Sequence, residues 1–267
     1  MPELAEVEFY RQQWAPGLAQ TVQGVRLHPK ARVFRDTHPD AISRELLGQR
    51  LEMSHAHGKQ ILFCFSGGGN LGIHLGMSGS MTTAVPEMVP DRHDHLVLVM
   101  ENCSLVLTDP RMFGKVTFEQ GPTPPAWWKA LPPQPQDPRF DKNRLRQLLG
   151  RHPRKALKAV LLHQKEFPGV GNWMADEILF RSRIHPATLP VNLTPYRLNG
   201  LYSALKTVCE DALHIIGTNW GDPPDDWLFN HRWKRGGTCP LSGKPLVYET
   251  IGGRTTCYSP SIQKIST

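Results

Sequence analysis

Residues 168–180 read PGVGNWMADEILF. Two glycines separated by one residue allow a tight turn, Asn172 is a good helix N-cap, and Asp176 and Glu177 fall in the first helical turns. The stretch therefore predicts a glycine hairpin ending on a helix N-terminus with exposed backbone N–H groups. Such a terminus can hold a phosphate, or it can be the corner of an ordinary helix-turn-helix. On both sides the period is helical. Segments 142–149, 153–164, 172–182 and 194–216 read as helices, the last with Leu198, Leu201, Leu205, Val208, Leu213 and Ile216 near helical spacing.

Upstream the pattern changes. Between about residues 20 and 118, short β-type runs (TVQGVRL, QILFCF, HLVLVM, SLVLTD) alternate with turns, which predicts a β-sandwich or barrel behind an N-terminal helix over 1–14. Seven prolines between Gly121 and Pro138 are too many for a helix or central strand and read as a linker. From about Asp222, strand pairs around SGK and GGR suggest a small β appendage. The expected class is multidomain α+β: a catalytic sandwich over 1–120, a linker over 121–138, a helical domain over 139–221 and a finger over 222–267.

Thirty-one Lys and Arg against 24 Asp and Glu give a net charge of +7, which suggests a polyanionic partner without distinguishing nucleic acid from an anionic membrane. The excess is placed unevenly: residues 141–170 carry eight bases against Asp141 and Glu166, and residues 228–267 carry six against Glu249. The acidic N-terminus has no apolar core of signal-peptide length, and no run approaches the roughly 18 residues of a membrane span, so an intracellular protein is expected. Five scattered cysteines argue against a disulfide framework.

The chain opens MPELAEVE. Proline suits a first helical turn, and Glu3, Glu6 and Glu8 favour the positive end of a helix dipole, so capping alone would account for it. HLGMSG (74–79) and DPRMFG (109–114) each present a bulky side chain on a turn between strands. Met77 and Phe113 beside Arg111 could wedge into a base stack, or could be core residues.

Taken together and in order, PELAEVE, HGK at 57–59, HLGMSG, DPRMFG, LLHQKEFPGVGNWMADEILF at 161–180 and GGRTTCYSPSIQK at 252–264 resemble the formamidopyrimidine-DNA glycosylase and endonuclease VIII family, across nearly the whole chain. The resemblance implies an N-terminal helix with a β-sandwich, a helix-two-turn-helix domain and a C-terminal finger. It implies a bifunctional DNA glycosylase and abasic-site lyase of base excision repair, acting on damaged double-stranded DNA as a monomer, without a cofactor, in a bacterial cytoplasm or eukaryotic nucleus. Removal of Met1 would free Pro2 to attack C1′ of the damaged nucleotide. Glu3 would be the acid/base at the sugar ring oxygen, Glu6 would support the site, and Lys59 would contact phosphate and assist elimination. Met77, Arg111 and Phe113 would fill the void left by the flipped nucleotide, Lys158 and Asn172 would lie near phosphates, and Arg254 would grip the phosphates around it. A noncatalytic lesion-sensing protein on the same scaffold would have no need for Pro2, Glu3 and Lys59 together.

Two departures refine this. Many members hold the finger on zinc through two CxxC pairs, but here the corresponding stretches read CPLS (239–242) and SPSI (259–262), so only Cys239 stands in register. Ser242, Ser259 and Ile262 cannot supply thiolates, and no metal is expected; a hairpin held by Leu246, Val247, Tyr248, Ile251 and Tyr258, as in the zincless plant and fungal branch, is expected instead. The second is a connection of only about ten residues, GTNWGDPPDD (217–226), before the finger, where 8-oxoguanine-processing members carry a longer loop. Formamidopyrimidines, oxidised pyrimidines, hydantoins and abasic sites are the expected substrates.

Overall fold

The structure, a computed structural model, describes residues 1–28 and 30–265. The chain divides into two compact units, one of residues 1–2 and 6–131, the other of residues 3–5 and 132–267.

The first unit contains most of helix α1 (Leu4–Gln13), strand β1 (Gly24–Leu27), helix α2 (Pro39–Leu46) and strands β2 (Leu51–His57), β3 (Gln60–Phe65), β4 (Gly69–His74), β5 (Ser80–Ala84), β6 (Asp94–Val99), β7 (Ser104–Thr108) and β8 (Lys115–Gln120). Two antiparallel sheets form, with orders β1-β6-β7-β5 and β2-β3-β4-β8. Their inner faces share one core, in which Ile61, Phe63, Leu71 and Ile73 meet Leu96, Leu98, Leu105 and Leu107. Trp14 closes it, stacked at a tilt 4.8 Å from Phe63 with its indole N–H donating to the Val106 carbonyl. The expected sandwich is therefore present. Strands β2, β4, β5 and β8 are too polar or glycine-broken to announce themselves; cross-strand pairing supplies what local propensity does not. The proline-rich stretch also holds a helix the sequence reading excluded: α3 (Ala126–Lys129) fits between Pro125 and Pro132 because proline is harmless ahead of a first turn.

The second unit contains α4 (Lys142–Gly150), α5 (Leu157–Leu161), α6 (Asn172–Arg181), α7 (Pro195–Ala212), and a hairpin of β9 (Val247–Ile251) and β10 (Arg254–Tyr258). Helix α5 is shorter than the 153–164 expected, and α7 ends in a π turn over Leu213–Gly217. Asp141 and Thr194 cap α4 and α7 by accepting from the N–H groups of Arg144 and Arg197. The core joins Leu145, Leu149, Val160, Phe167, Ile178, Leu205 and Val208 with Leu4 and Ala5 from the chain start. The finger opens with a 3-10 turn at Leu228–His231 rather than a strand. Its hairpin closes on Gly252–Gly253, with Arg254 opposite Ile251.

Candidate active site

Helix α6 is the organising element of the second unit, and it is not capped as expected. Asn172 is its first helical residue and Gly171 its N-cap, which has no side chain to offer. The missing acceptor comes from the other end of the sequence: the Glu3 carboxylate, 4 % exposed, accepts from the N–H groups of Trp173 at 3.0 Å and Met174 at 3.1 Å. The Leu4 N–H donates to the Gly169 carbonyl at 3.0 Å, and Gln164 braces the hairpin, its Nε2 reaching the Val170 carbonyl at 2.7 Å. A Cβ on Gly171 would stand 2.1 Å from the Glu3 carboxyl carbon, so only glycine admits that carboxylate.

One turn further along, Asp176 and Glu177 are fully buried, not dipole partners at an exposed end. Asp176 receives Lys158 Nζ at 2.5 Å, Arg232 Nη2 at 2.7 Å and the Cys257 N–H at 3.2 Å. One carboxylate thus joins α5, α6 and both parts of the finger. Lys158 also donates to the Asn172 carbonyl at 2.6 Å and has no exposed surface, which corrects its expected place beside phosphates: it positions α6 from inside. Burial lowers the Lys158 pKa, as does nearby Arg232, and Asp176 opposes both. Burial likewise raises Glu177 to about 7 despite Arg181 at 3.1 Å and the Phe229 N–H at 3.0 Å. The signal was legible in WMADEILF, since acids in a helix with eight of ten residues buried must be paired. Arg232 carries no such signal.

Asn172 Nδ2 donates to the Thr255 carbonyl at 2.9 Å, next to Arg254, whose side chain is exposed at the hairpin turn. The helix start and the finger arginine are thereby coupled. Asn172 Oδ1 is buried and takes no hydrogen bond.

In the first unit, Lys59 sits half-buried on the two-residue turn between β2 and β3, where His57 pairs with Gln60. Its ammonium lies 3.8 Å from Met1 Sδ, so it stands beside the chain terminus that precedes Pro2. Glu6 is half-buried in the first turn of α1. His74, which sequence reading passed over, is held toward its neutral form by burial and by Lys59, Arg35 and Lys115, and its Nδ1 accepts from the Gly76 N–H at 3.0 Å.

The turns carrying Met77, Arg111 and Phe113 are locked together by a buried carboxylate. Asp109 accepts from Ser78 Oγ at 2.7 Å and from the N–H groups of Arg111 at 3.3 Å and Gly114 at 2.7 Å. Gly76, at φ +62°, lets the first turn touch the second: a Cβ there would lie 2.4 Å from the Phe113 carbonyl carbon. Met77 and Phe113 remain 41 % and 42 % exposed, and the Arg111 guanidinium lies 4.7 Å over the Phe113 ring. Two large apolar side chains held out by a rigid, fully bonded turn pair are poorly placed for folding and well placed to meet a partner.

The finger's donor set does not fit a zinc ion. Ser242 Oγ and Ser259 Oγ lie 2.7 and 2.8 Å from Ser261 Oγ, while Ile262 packs with Leu228, Leu246 and Cys257. Burial raises the Cys239 thiol, but hydrogen bonds from Ser242, Ser259 and the N–H groups of Leu241 and Ser242 outweigh it and bring its pKa down. One thiolate among hydroxyls and an isoleucine lacks the four ligands a structural zinc requires. Gln263 Nε2, donating to the Ile184 carbonyl at 3.0 Å, fastens this end to the helices.

The family models of the formamidopyrimidine-DNA glycosylase N-terminal domain and of its H2TH domain match residues 1–116 and 131–221. Formamidopyrimidine-DNA glycosylases of Geotalea daltonii and Thermomicrobium roseum are 32 % and 33 % identical, each aligning over 99 % of this chain and 100 % of its own. The Lactococcus lactis glycosylase, solved with DNA containing an oxidised pyrimidine, superposes with a TM-score of 0.87 at 25 % identity over 98 % of this chain and 100 % of that one. The same enzyme solved with N7-benzyl-Fapy-dG DNA gives 0.87 at 25 %, over the same shares. With sandwich, helical domain and finger hairpin all present, the chain belongs to the formamidopyrimidine-DNA glycosylase family of base-excision-repair enzymes.

Proposed function

We propose that this protein excises oxidised bases from duplex DNA and cleaves the resulting abasic site, with Pro2 as nucleophile. The observation that carries the reading is Glu3 fixed on the α6 N-terminus by two backbone donors, directly behind Pro2 in the chain. Once Met1 is removed, the Pro2 amine attacks C1′, forming the N–C1′ bond as the base leaves. Glu3 passes a proton to the ring oxygen as the sugar opens. The adduct is an iminium with no N–H to lose, so it remains an electron sink. Loss of the C2′ proton then expels the 3′ phosphate, and a second elimination expels the 5′ phosphate, with Lys59 stabilising the leaving oxygens.

The catalytic domain is assigned to residues 1–120, joined by 121–138 to DNA-holding segments 139–221 and 222–267. Met77, Arg111 and Phe113 fill the gap left by the extruded nucleotide, and Arg254 grips its phosphates. Asn172 and Lys158 hold the helix and finger that present Arg254. The short 217–226 connection favours formamidopyrimidines, hydantoins, oxidised pyrimidines and abasic sites, and Ser242, Ser259 and Ile262 favour the zincless plant and fungal branch. The relatives named above are bacterial, so that assignment rests on the finger alone.

Borohydride trapping on duplexes bearing each of these lesions and 8-oxoguanine tests the reading; failure to trap on any of them would remove it. Arg254→Ala is expected to reduce the salt slope of binding by about 0.9, the increment of one phosphate contact on duplex DNA. Phe113→Ala leaves the slope unchanged but costs more on a base-paired lesion than on an abasic site, because extruding a paired base costs a few kcal/mol that the wedge offsets. Equal losses on both substrates would show that Phe113 has another role.

Gly171→Ala separates positioning from folding. The methyl must displace the Glu3 carboxylate, and a misplacement of about 1 Å in a reacting group costs about 100-fold. Single-turnover trapping is expected to fall by that order in a protein that still folds cooperatively. Unchanged trapping would sink the assignment of Glu3.

A further inference from the structure

Apart from this machinery, the second unit brings two histidines and a glutamate together. His152 lies in the turn after α4, and His163 and Glu166 three residues apart in the turn after α5, where the Glu166 N–H donates to the His163 carbonyl at 2.9 Å. One nitrogen from each ring and a Glu166 oxygen all fall within 4.8 Å of one another. His152 Nε2 stands 3.0 Å from Glu166 Oε1 and 2.9 Å from Oε2, and His163 Nδ1 stands 3.7 Å from Oε2.

Glu166 is the telling member. It is only 5 % exposed, and Oε2, although 2.9 Å from His152 Nε2, accepts no hydrogen bond, because that nitrogen is aligned on Oε1. A buried carboxylate oxygen without a donor is costly, and Arg151, at 3.9 Å from Oε1 and largely exposed, does not satisfy it. The single His152–Glu166 hydrogen bond, made to Oε1, satisfies one carboxylate oxygen. It leaves Oε2 directed toward His163, whose ring sits at the solvent edge, T-shaped against His152 with centroids 5.6 Å apart.

We propose that His152, His163 and Glu166 bind a divalent first-row transition metal of the Zn²⁺ class. Two imidazoles and a carboxylate are borderline ligands that suit Zn²⁺, Co²⁺, Ni²⁺ or Cu²⁺, and the absence of thiolate from the set disfavours Cu(I). Metal–nitrogen and metal–oxygen distances of about 2.0–2.2 Å need the ligand atoms about 3.4 Å apart around a tetrahedral ion. Rotation of the exposed His163 ring supplies the closure, leaving a fourth position for water. The ion would staple the turn after α4 to the turn after α5. Since Glu166 runs through Phe167–Gly171 into α6, metal occupancy would stiffen the approach to the helix that seats Glu3.

The test uses chelator-treated full-length protein at micromolar concentration, titrated with Co²⁺ and then Zn²⁺. One Co²⁺ per chain is expected, with visible d–d absorption, no near-ultraviolet sulfur charge-transfer band, and displacement by Zn²⁺. Zn²⁺ should raise the melting temperature. His163→Ala and Glu166→Gln are each expected to weaken binding by at least about tenfold, the loss caused even by outer-shell partners, while Cys239→Ser leaves it unchanged. His163 is exposed, so its variant folds even if Glu166→Gln does not. Absence of stoichiometric binding, binding indifferent to His163→Ala, or binding lost in Cys239→Ser would each overturn the site, and none of these outcomes bears on lyase activity.

Discussion

Protein that retains Met1 is expected to form no borohydride-stable adduct with abasic DNA, a fall of at least about 10³-fold, as when a catalytic nucleophile is deleted. The nitrogen of Pro2 is then part of a tertiary amide. Its lone pair is delocalised into the Met1 carbonyl, so it cannot attack C1′ or become an iminium. Removal of Met1 with an aminopeptidase should restore trapping in the same preparation. Pro2→Gly, correctly processed, keeps an amine and is expected to retain some trapping, so it is the weaker test. The rival amine is Lys59, whose Nζ lies 3.8 Å from Met1 Sδ. If the Met1-retaining protein still crosslinks and Lys59→Met in that background abolishes it, lysine carries the covalent step and the assignment of Pro2 is wrong.

Asp176→Asn is expected to destabilise the second unit by about 3–5 kcal/mol, the cost of removing one partner from a buried ion pair. In this case two cations lose their anion. Lys158 has no exposed surface, and its pKa is already lowered by burial and by Arg232, so loss of Asp176 drives it further toward the neutral form. Arg232 cannot follow that route and must rearrange toward water. The Cys257 N–H also loses its acceptor, which frees β10 from α6. Denaturant unfolding monitored by tryptophan fluorescence measures the loss, with Trp173 and Trp227 packed 6.4 Å apart in the same core. The loss should be nearly the same at low and high salt, because a fully buried network is little screened. A change under about 1 kcal/mol, or one that vanishes in salt, would mean that Asp176 is no keystone.

The consequences for activity differ between these two variants. Met1 retention removes one bond-forming atom from an intact scaffold. Asp176→Asn leaves the nucleophile intact and loosens the coupling that runs from Lys158 through Asn172 to Thr255 and Arg254. It should therefore weaken DNA binding before it affects the single-turnover rate at saturating DNA.

What the amino-acid sequence determined by itself is whatever short-range chemistry encodes. Alternating apolar runs such as QILFCF, the 3.6-residue period of 194–216, the hairpin signal GGR and the glycines of PGVGN act through neighbours a few residues away, and each produced its element. The resemblance points to Pro2, Glu3, Lys59 and Arg254 as site residues without any knowledge of contacts, and their roles are proposed on that basis. Only the tertiary structure decided which partner satisfies each buried polar group. Asn172 has the right chemistry for an N-cap, yet the acceptor that wins is Glu3, 170 residues away, because Gly171 leaves room for it. Lys158 reads as a surface base in a strongly basic segment, but is desolvated and paired with Asp176 inside the helical domain. The helix in AWWK and the polar strands β2, β5 and β8 depend on neighbours that local propensity does not name. His152, His163 and Glu166 meet because two turns close on the same core. Hydrogen bonds and charges are satisfied wherever the fold delivers a partner, and that delivery is a long-range property of packing.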